Sequence, residues 1–127
     1  MLVSSHYKIE VEAKAQFIEE QSDADAGRYV FSYHIRIRNG GDVAAQLISR
    51  HWIITDADGE VQEVQGMGVI GEQPTLQPGE SFEYSSGCSL GTPFGTMRGT
   101  YQMQAADGHR FDAEIPLFSL LGPRVLH

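Results

Sequence analysis

The chain has 127 residues, enough for one ordinary domain with a real core and too few for a comfortable second one. A composition of 41% hydrophobic and 20% charged residues excludes wholesale disorder, and 17 acidic against 9 basic residues give a formal charge of -8, a surface that repels nucleic acid and anionic membranes. One cysteine excludes an internal disulfide, and no run approaches the ~20 apolar residues of a membrane helix.

Residues Met1 to His6 have no basic region followed by an apolar stretch, so no secretory signal is expected and the protein is assigned to the cytoplasm. From Tyr7 to Phe17 apolar and polar residues alternate strictly, the period of a strand with Tyr7, Ile9, Val11, Ala13, Ala15 and Phe17 on one face. Glu19 to Gly27 is acidic and turn-like. Alternation resumes with Tyr29, Phe31, Tyr33, Ile35 and Ile37 facing one way and Ser32, His34, Arg36 and Arg38 the other. Asn39-Gly40-Gly41-Asp42 is a turn signal, because Asn and Gly tolerate positive φ. Ala44 to Thr55, rich in β-branched residues and carrying Trp52, reads as a strand that turns at Asp56-Ala57-Asp58-Gly59 into Glu60 to Gln65.

Gly66 to Pro74 reads as a glycine-rich loop, and Pro78-Gly79 as a tight turn. Phe82, Tyr84, Ser86 and Cys88 share a strand face, so Cys88 reads as a small buried hydrophobe and not as a nucleophile. After Thr92-Pro93-Phe94-Gly95 come the alternating Met97, Gly99, Tyr101 and Met103, a turn at Asp107-Gly108, and a last strand with Phe111, Ala113, Ile115 and Leu117 inward. Pro116 on that strand implies an edge or a bulge. Seven or eight short strands with regular turns and no helical period make an all-β, antiparallel two-sheet sandwich of immunoglobulin or fibronectin type III kind, with a closed barrel as the alternative. The whole chain is one domain, its core spanning about residues 7–118.

Several motifs carry candidate chemistry. Gly66-x-Gly68-x-x-Gly71 matches the dinucleotide fingerprint as text, but Pro74 and Pro78 follow where that mechanism needs a helix. A helix-free anion nest of backbone N–H groups stays open, with a phosphate-containing ligand, beside the simpler need for glycine dihedrals in a crossing loop. Asp56 to Glu60 resembles the opening of a calcium loop, yet its glycine falls two places early, so it is a hairpin tip. His6, His34, His51, His109 and His127 have no ligand-pair spacing, and no metal site or cofactor is expected; His51 reads as a half-buried structural histidine. His34, Arg36 and Arg38 form a basic stripe, either a solvated face balanced by carboxylates or a docking patch for an acidic partner. In the loop, Gly66, Met67, Gly68, Val69 and Gly71 are the candidate binding residues, with Met67 and Val69 expected as contacts and Ile70 turned inward.

Taken in order, Ser49-Arg50-His51-Trp52-Ile53-Ile54-Thr55-Asp56, the loop GMGVIGEQP from Gly66 to Pro74, Leu76-Gln77-Pro78-Gly79-Glu80, Tyr84-x-Ser86-Gly87, and Thr92-Pro93-x-Gly95-x-Met97-x-Gly99-x-Tyr101-x-Met103 resemble the ApaG family of small bacterial proteins. The likeness runs from about Tyr7 to Phe118 with no departure at those motif positions. It implies a fibronectin type III-like sandwich and a genetic association with cobalt tolerance and magnesium efflux, without an established catalytic activity. Similar domains in eukaryotic F-box and polymerase-interacting proteins are regarded as protein-interaction modules. The expected function is accordingly a non-enzymatic module acting through an unidentified protein partner. A pyrophosphate or nucleotide binder and a direct divalent-metal binder are the alternatives. Oligomeric state is not legible in the sequence.

Overall fold

The structure is a computed structural model that describes residues 6–123. The expectation for residues 1–5 and the fifth histidine, His127, lie outside the described residues. Eight strands follow in chain order: β1 Ile9–Phe17, β2 Tyr29–Asn39, β3 Ala45–Asp56, β4 Val61–Met67, β5 Thr75–Leu76, β6 Ser81–Leu90, β7 Phe94–Ala105 and β8 Arg110–Leu121. The acidic segment after β1 folds into two single turns of 3-10 helix, Glu19–Gln21 and Ala24–Ala26.

The strands form two antiparallel sheets. The small sheet has the order β1-β2-β6, the large one β4-β3-β7-β8, with the short β5 pairing with β3 beyond the end of β4. Neither sheet closes on itself, so the barrel alternative does not hold among the described residues. Alternating residues make the core: Phe31, Tyr33, Ile35 and Ile37 from β2 face Leu47, Trp52, Ile54, Met97, Tyr101 and Met103 from the large sheet. The period-two pattern was a sufficient guide here because each strand buries one face only.

Two bulges break that guide. In β3 the pairing with β7 shifts between Leu47 and Ser49, so Ile48 is the extra residue. Inward positions pass from Ala45 and Leu47 to the even-numbered Trp52 and Ile54. In β8, Met97 pairs with Phe118 but Gly99 pairs with Ile115, leaving Pro116 and Leu117 opposite Arg98 alone. Pro116 thus sits at a bulge on an edge strand, where its missing N–H costs no ladder bond. The bulge also corrects one inward assignment: Leu117 is exposed at 59%, while Phe118 packs on the core and Leu120 is fully buried.

The chain crosses between sheets three times, after β2, between β5 and β6, and between β6 and β7. The first two crossings meet at Asn39, the one buried polar residue among the described residues. Its amide nitrogen donates to the carbonyls of Val43 and Leu76, each at 2.9 Å, and its side-chain oxygen accepts from the Gly41 amide. Its own backbone bonds Glu80 and Gly79 across the Pro78–Gly79 turn. A fully satisfied amide of this kind costs little to bury and fixes the relation of two loops.

Candidate functional site

The candidate loop begins later than expected. Gly66 and Met67 belong to β4, paired with Arg50 and Ser49 of β3, and only residues 68–74 lie outside a strand. Gly66 is small for a local reason: a Cβ there would stand 2.8 Å from a guanidinium nitrogen of Arg50. The Arg50 side chain, free to cross that gap, donates to the carbonyls of Met67 at 3.1 Å and Gly68 at 2.8 Å. It clamps the end of β4 from inside.

Beyond the clamp the chain makes a two-residue hairpin. The Val69 amide donates to the Glu72 carbonyl and the Glu72 amide to the Val69 carbonyl, at 2.8 and 2.9 Å, around Ile70 and Gly71. Both central residues have positive φ, 43° and 79°, the type I′ geometry that suits Asn-Gly and not a β-branched residue. Gly68 is obligatory as well, with φ of 63° and the Glu72 carbonyl oxygen 2.3 Å from any Cβ.

This geometry corrects the expected orientations. Val69 is 1% exposed and joins the core, whereas Ile70 is 56% exposed and Met67 is 68% exposed. The left-handed Gly68 interrupts the strand alternation, so the first residue after it turns inward and the hairpin tip turns out. The exposed apolar pair is Met67 and Ile70, and Val69 is the plug beneath them. Ile70 was missed; the signal that could have found it is the Ile-Gly dipeptide sitting where a hairpin tip needs two positive φ values. The anion-nest geometry is largely spent, since the amides of Gly68, Val69 and Glu72 already donate within the fold.

The basic stripe lies on the outer face of β2. His34 Nε2 meets Glu83 at 2.7 Å and its Nδ1 meets Ser85 at 2.9 Å, while Arg36 pairs with Glu12 and Arg38 with Glu10. The His34 hydrogen bond holds the exposed Glu83 carboxyl below its ordinary range. The stripe is therefore balanced residue for residue by cross-strand carboxylates, as exposed pairs of modest energy.

The remaining candidates are scattered. His51 is half-buried on the outer face of the large sheet, with its ring nitrogen 2.7 Å from Glu63. Tyr7 lies outside β1, its ring stacked on His109 and its hydroxyl donating to Asp107 at 2.5 Å. Among the described residues no three His, Cys, Asp or Glu side chains converge to hold a metal ion. Cys88 is half-buried with its sulfur 3.8 Å from that of Met97, and desolvation pushes its thiol up to about 11. In that state it is a poor nucleophile. Between the sheets Tyr84 and Tyr101 share a 2.5 Å hydroxyl contact, and burial drives both phenols upward, Tyr84 to about 12. Among the described residues neither Cys88 nor the Tyr84–Tyr101 pair is hydrogen-bonded to a histidine or carboxylate base. A hydroxyl–imidazole–carboxylate chain does occur at Ser85, His34 and Glu83, exposed on the outer face of the small sheet.

The profile of the ApaG domain matches residues 19–105, about two-thirds of the chain. Protein ApaG of Aromatoleum aromaticum is 66% identical over 127 residues, all of both chains. The chain belongs to the ApaG family. Protein ApaG of Thiobacillus denitrificans is 62% identical over the same full length. The crystal structure of an ApaA protein from Bordetella pertussis superposes with a TM-score of 0.92 at 50% identity, covering 97% of this chain and 100% of that one. A protein from Archaeoglobus fulgidus shares the fold alone, at 10% identity and a TM-score of 0.56. ApaG membership thus accounts for the sandwich and for the order of the loop motifs. Among the described residues no helix is long and apolar enough to cross a membrane.

Proposed function

We propose that this ApaG protein is a non-enzymatic interaction module of the cytoplasm, acting through a protein partner in a process linked to cobalt tolerance and magnesium efflux. The observation that carries this reading is Ile70, a β-branched residue held at φ of 43° with its side chain in solvent, beside the exposed Met67. A left-handed Ile costs about 1–2 kcal/mol, and an exposed one recovers nothing by burial within the domain. An apolar pair on a rigid, clamped hairpin is suited to contact another protein. The phosphate-ligand alternative draws little support from the loop, where the amides of Gly68, Val69 and Glu72 are engaged within the fold, and the direct-metal alternative has no ligand set among the described residues.

The test is the double variant Met67→Asp/Ile70→Asp in a strain lacking its own copy. It is expected to fold with unchanged or higher stability and to fail to restore growth on cobalt. Full restoration by a stably folded double variant would remove this surface from the function.

A further inference from the structure

We propose that the free edge of β6, together with the part of β4 that reaches past it, forms a berth for one extended strand of a partner polypeptide, with alternating apolar and basic side chains. The small sheet has three strands over the β4-β3-β7-β8 path of the large one. On one side β1 lies alongside β8, so the shortfall falls on the other. There β6 packs over β7, through the Tyr84–Tyr101 hydroxyl contact and the Cys88–Met97 sulfur contact. β4 is left projecting, with the side chain of Gln62 exposed and that of Val64 only half-buried. A cleft of about 110 Å³ opens between Ile54, Glu60 and Gln62 on one wall and Ser89 and Leu90 on the other. With strands about 4.8 Å apart, a fourth strand hydrogen-bonded to β6 would lie over β4 and complete the upper layer.

The chemistry of the edges agrees. Sheet edges are normally guarded by proline, lysine, bulges, shortness or a covering element. β8 carries Pro116 and a bulge and lies against β1, and β4 is short and ends in the clamped turn. Among the described residues β6 has none of these guards. It runs ten residues in unbroken register with β2, without proline or lysine, and its one charge, Glu83, is occupied by His34. Its outward positions Ser81, Ser85, Gly87 and Ser89 are small and leave the edge open.

The occupant is a single strand and not a second copy. A symmetric β6–β6 pairing would bring both projecting β4 strands into the same space, whereas one strand fits above one β4. Inward positions of that strand would meet Ile54 and Val64 and take apolar side chains. Terminal positions would meet Asp56 and Glu60 at the cleft on a chain of net charge -8, which favours lysine or arginine. Main-chain bonds would supply affinity and alternate side chains selectivity.

The probes are short synthetic peptides alternating valine, leucine or isoleucine with lysine, titrated into the full chain and followed by amide NMR shifts and hydrogen exchange. Saturable shifts are expected on β6 and on Gln62 to Val64, with slowed exchange at the β6 amides that point away from β2. Methylating the peptide amides on the pairing edge is expected to abolish binding, and Gln62→Arg, at an exposed site, to weaken it several-fold. Three results each overturn the proposal: no saturable shifts with any peptide, shifts centred elsewhere, or methylated peptides binding equally well. Concentration-dependent self-pairing through β6 also overturns it. Growth on cobalt is not read in this experiment, so the hairpin reading stands or falls separately.

Discussion

Three neighbouring residues, Val69, Ile70 and Gly71, have opposite roles fixed by backbone geometry. Val69 fills the core beneath the hairpin, so Val69→Asp buries an unpaired charge and is expected to cost about 3 kcal/mol or more. Ile70 carries left-handed strain and no burial, so Ile70→Asn, which adopts that conformation readily, is expected to raise stability by roughly 1 kcal/mol. Urea unfolding of the two variants checks both; equal and small changes would contradict the assignment of plug and tip. That a change improving the fold should harm the cell is the signature expected where strain is retained for contact. None of this was legible by alternation, because a residue after a left-handed glycine no longer follows the strand's parity. The identity of the candidate loop was visible in its glycines; the direction of each side chain was not.

At the scale of the strand, legibility depended on the ladder being unbroken. β1, β2, β6 and β7 present the faces that their sequences announce, since nothing interrupts the pleat between Ile9 and Phe17 or between Tyr29 and Asn39. β3 and β8 each contain one extra residue, and only Pro116 advertised its bulge. Ile48 carried no comparable mark. The β8 bulge gives a sharp expectation. Leu117→Ala should change stability by no more than about 0.5 kcal/mol, and Phe118→Ala should cost about 2 kcal/mol or more, measured by chemical unfolding. The reverse ranking would place the register shift elsewhere.

For the molecule as a whole, the two layers are joined by buried aromatic side chains, and these set how the fold responds to alkali. Burial raises the phenols of Tyr84 and Tyr101 above the ordinary value of 10.0, Tyr84 to about 12. The unfolded chain then gives up these protons first as pH rises. Their contribution to stability is complete below pH 10 and is lost as pH climbs through the folded value. The melting temperature is expected to fall steeply above pH 10, and less steeply in Tyr84→Phe; an identical slope in the two proteins would show that this pair does not control it. Asn39 has a consequence of another kind, in time. The hairpins β3–β4 and β7–β8 close across short turns, but the bond from Asn39 to Leu76 joins residues 37 apart in sequence and needs the first two crossings in place. Such a bond forms after most of the search is over. Asn39→Ala is therefore expected to speed unfolding while leaving the refolding rate nearly unchanged. In stopped-flow experiments the folding arm of the chevron should superpose on that of the parent and the unfolding arm should rise. The residue that holds two loops together would then govern how long the native state lasts, and not how quickly it is found.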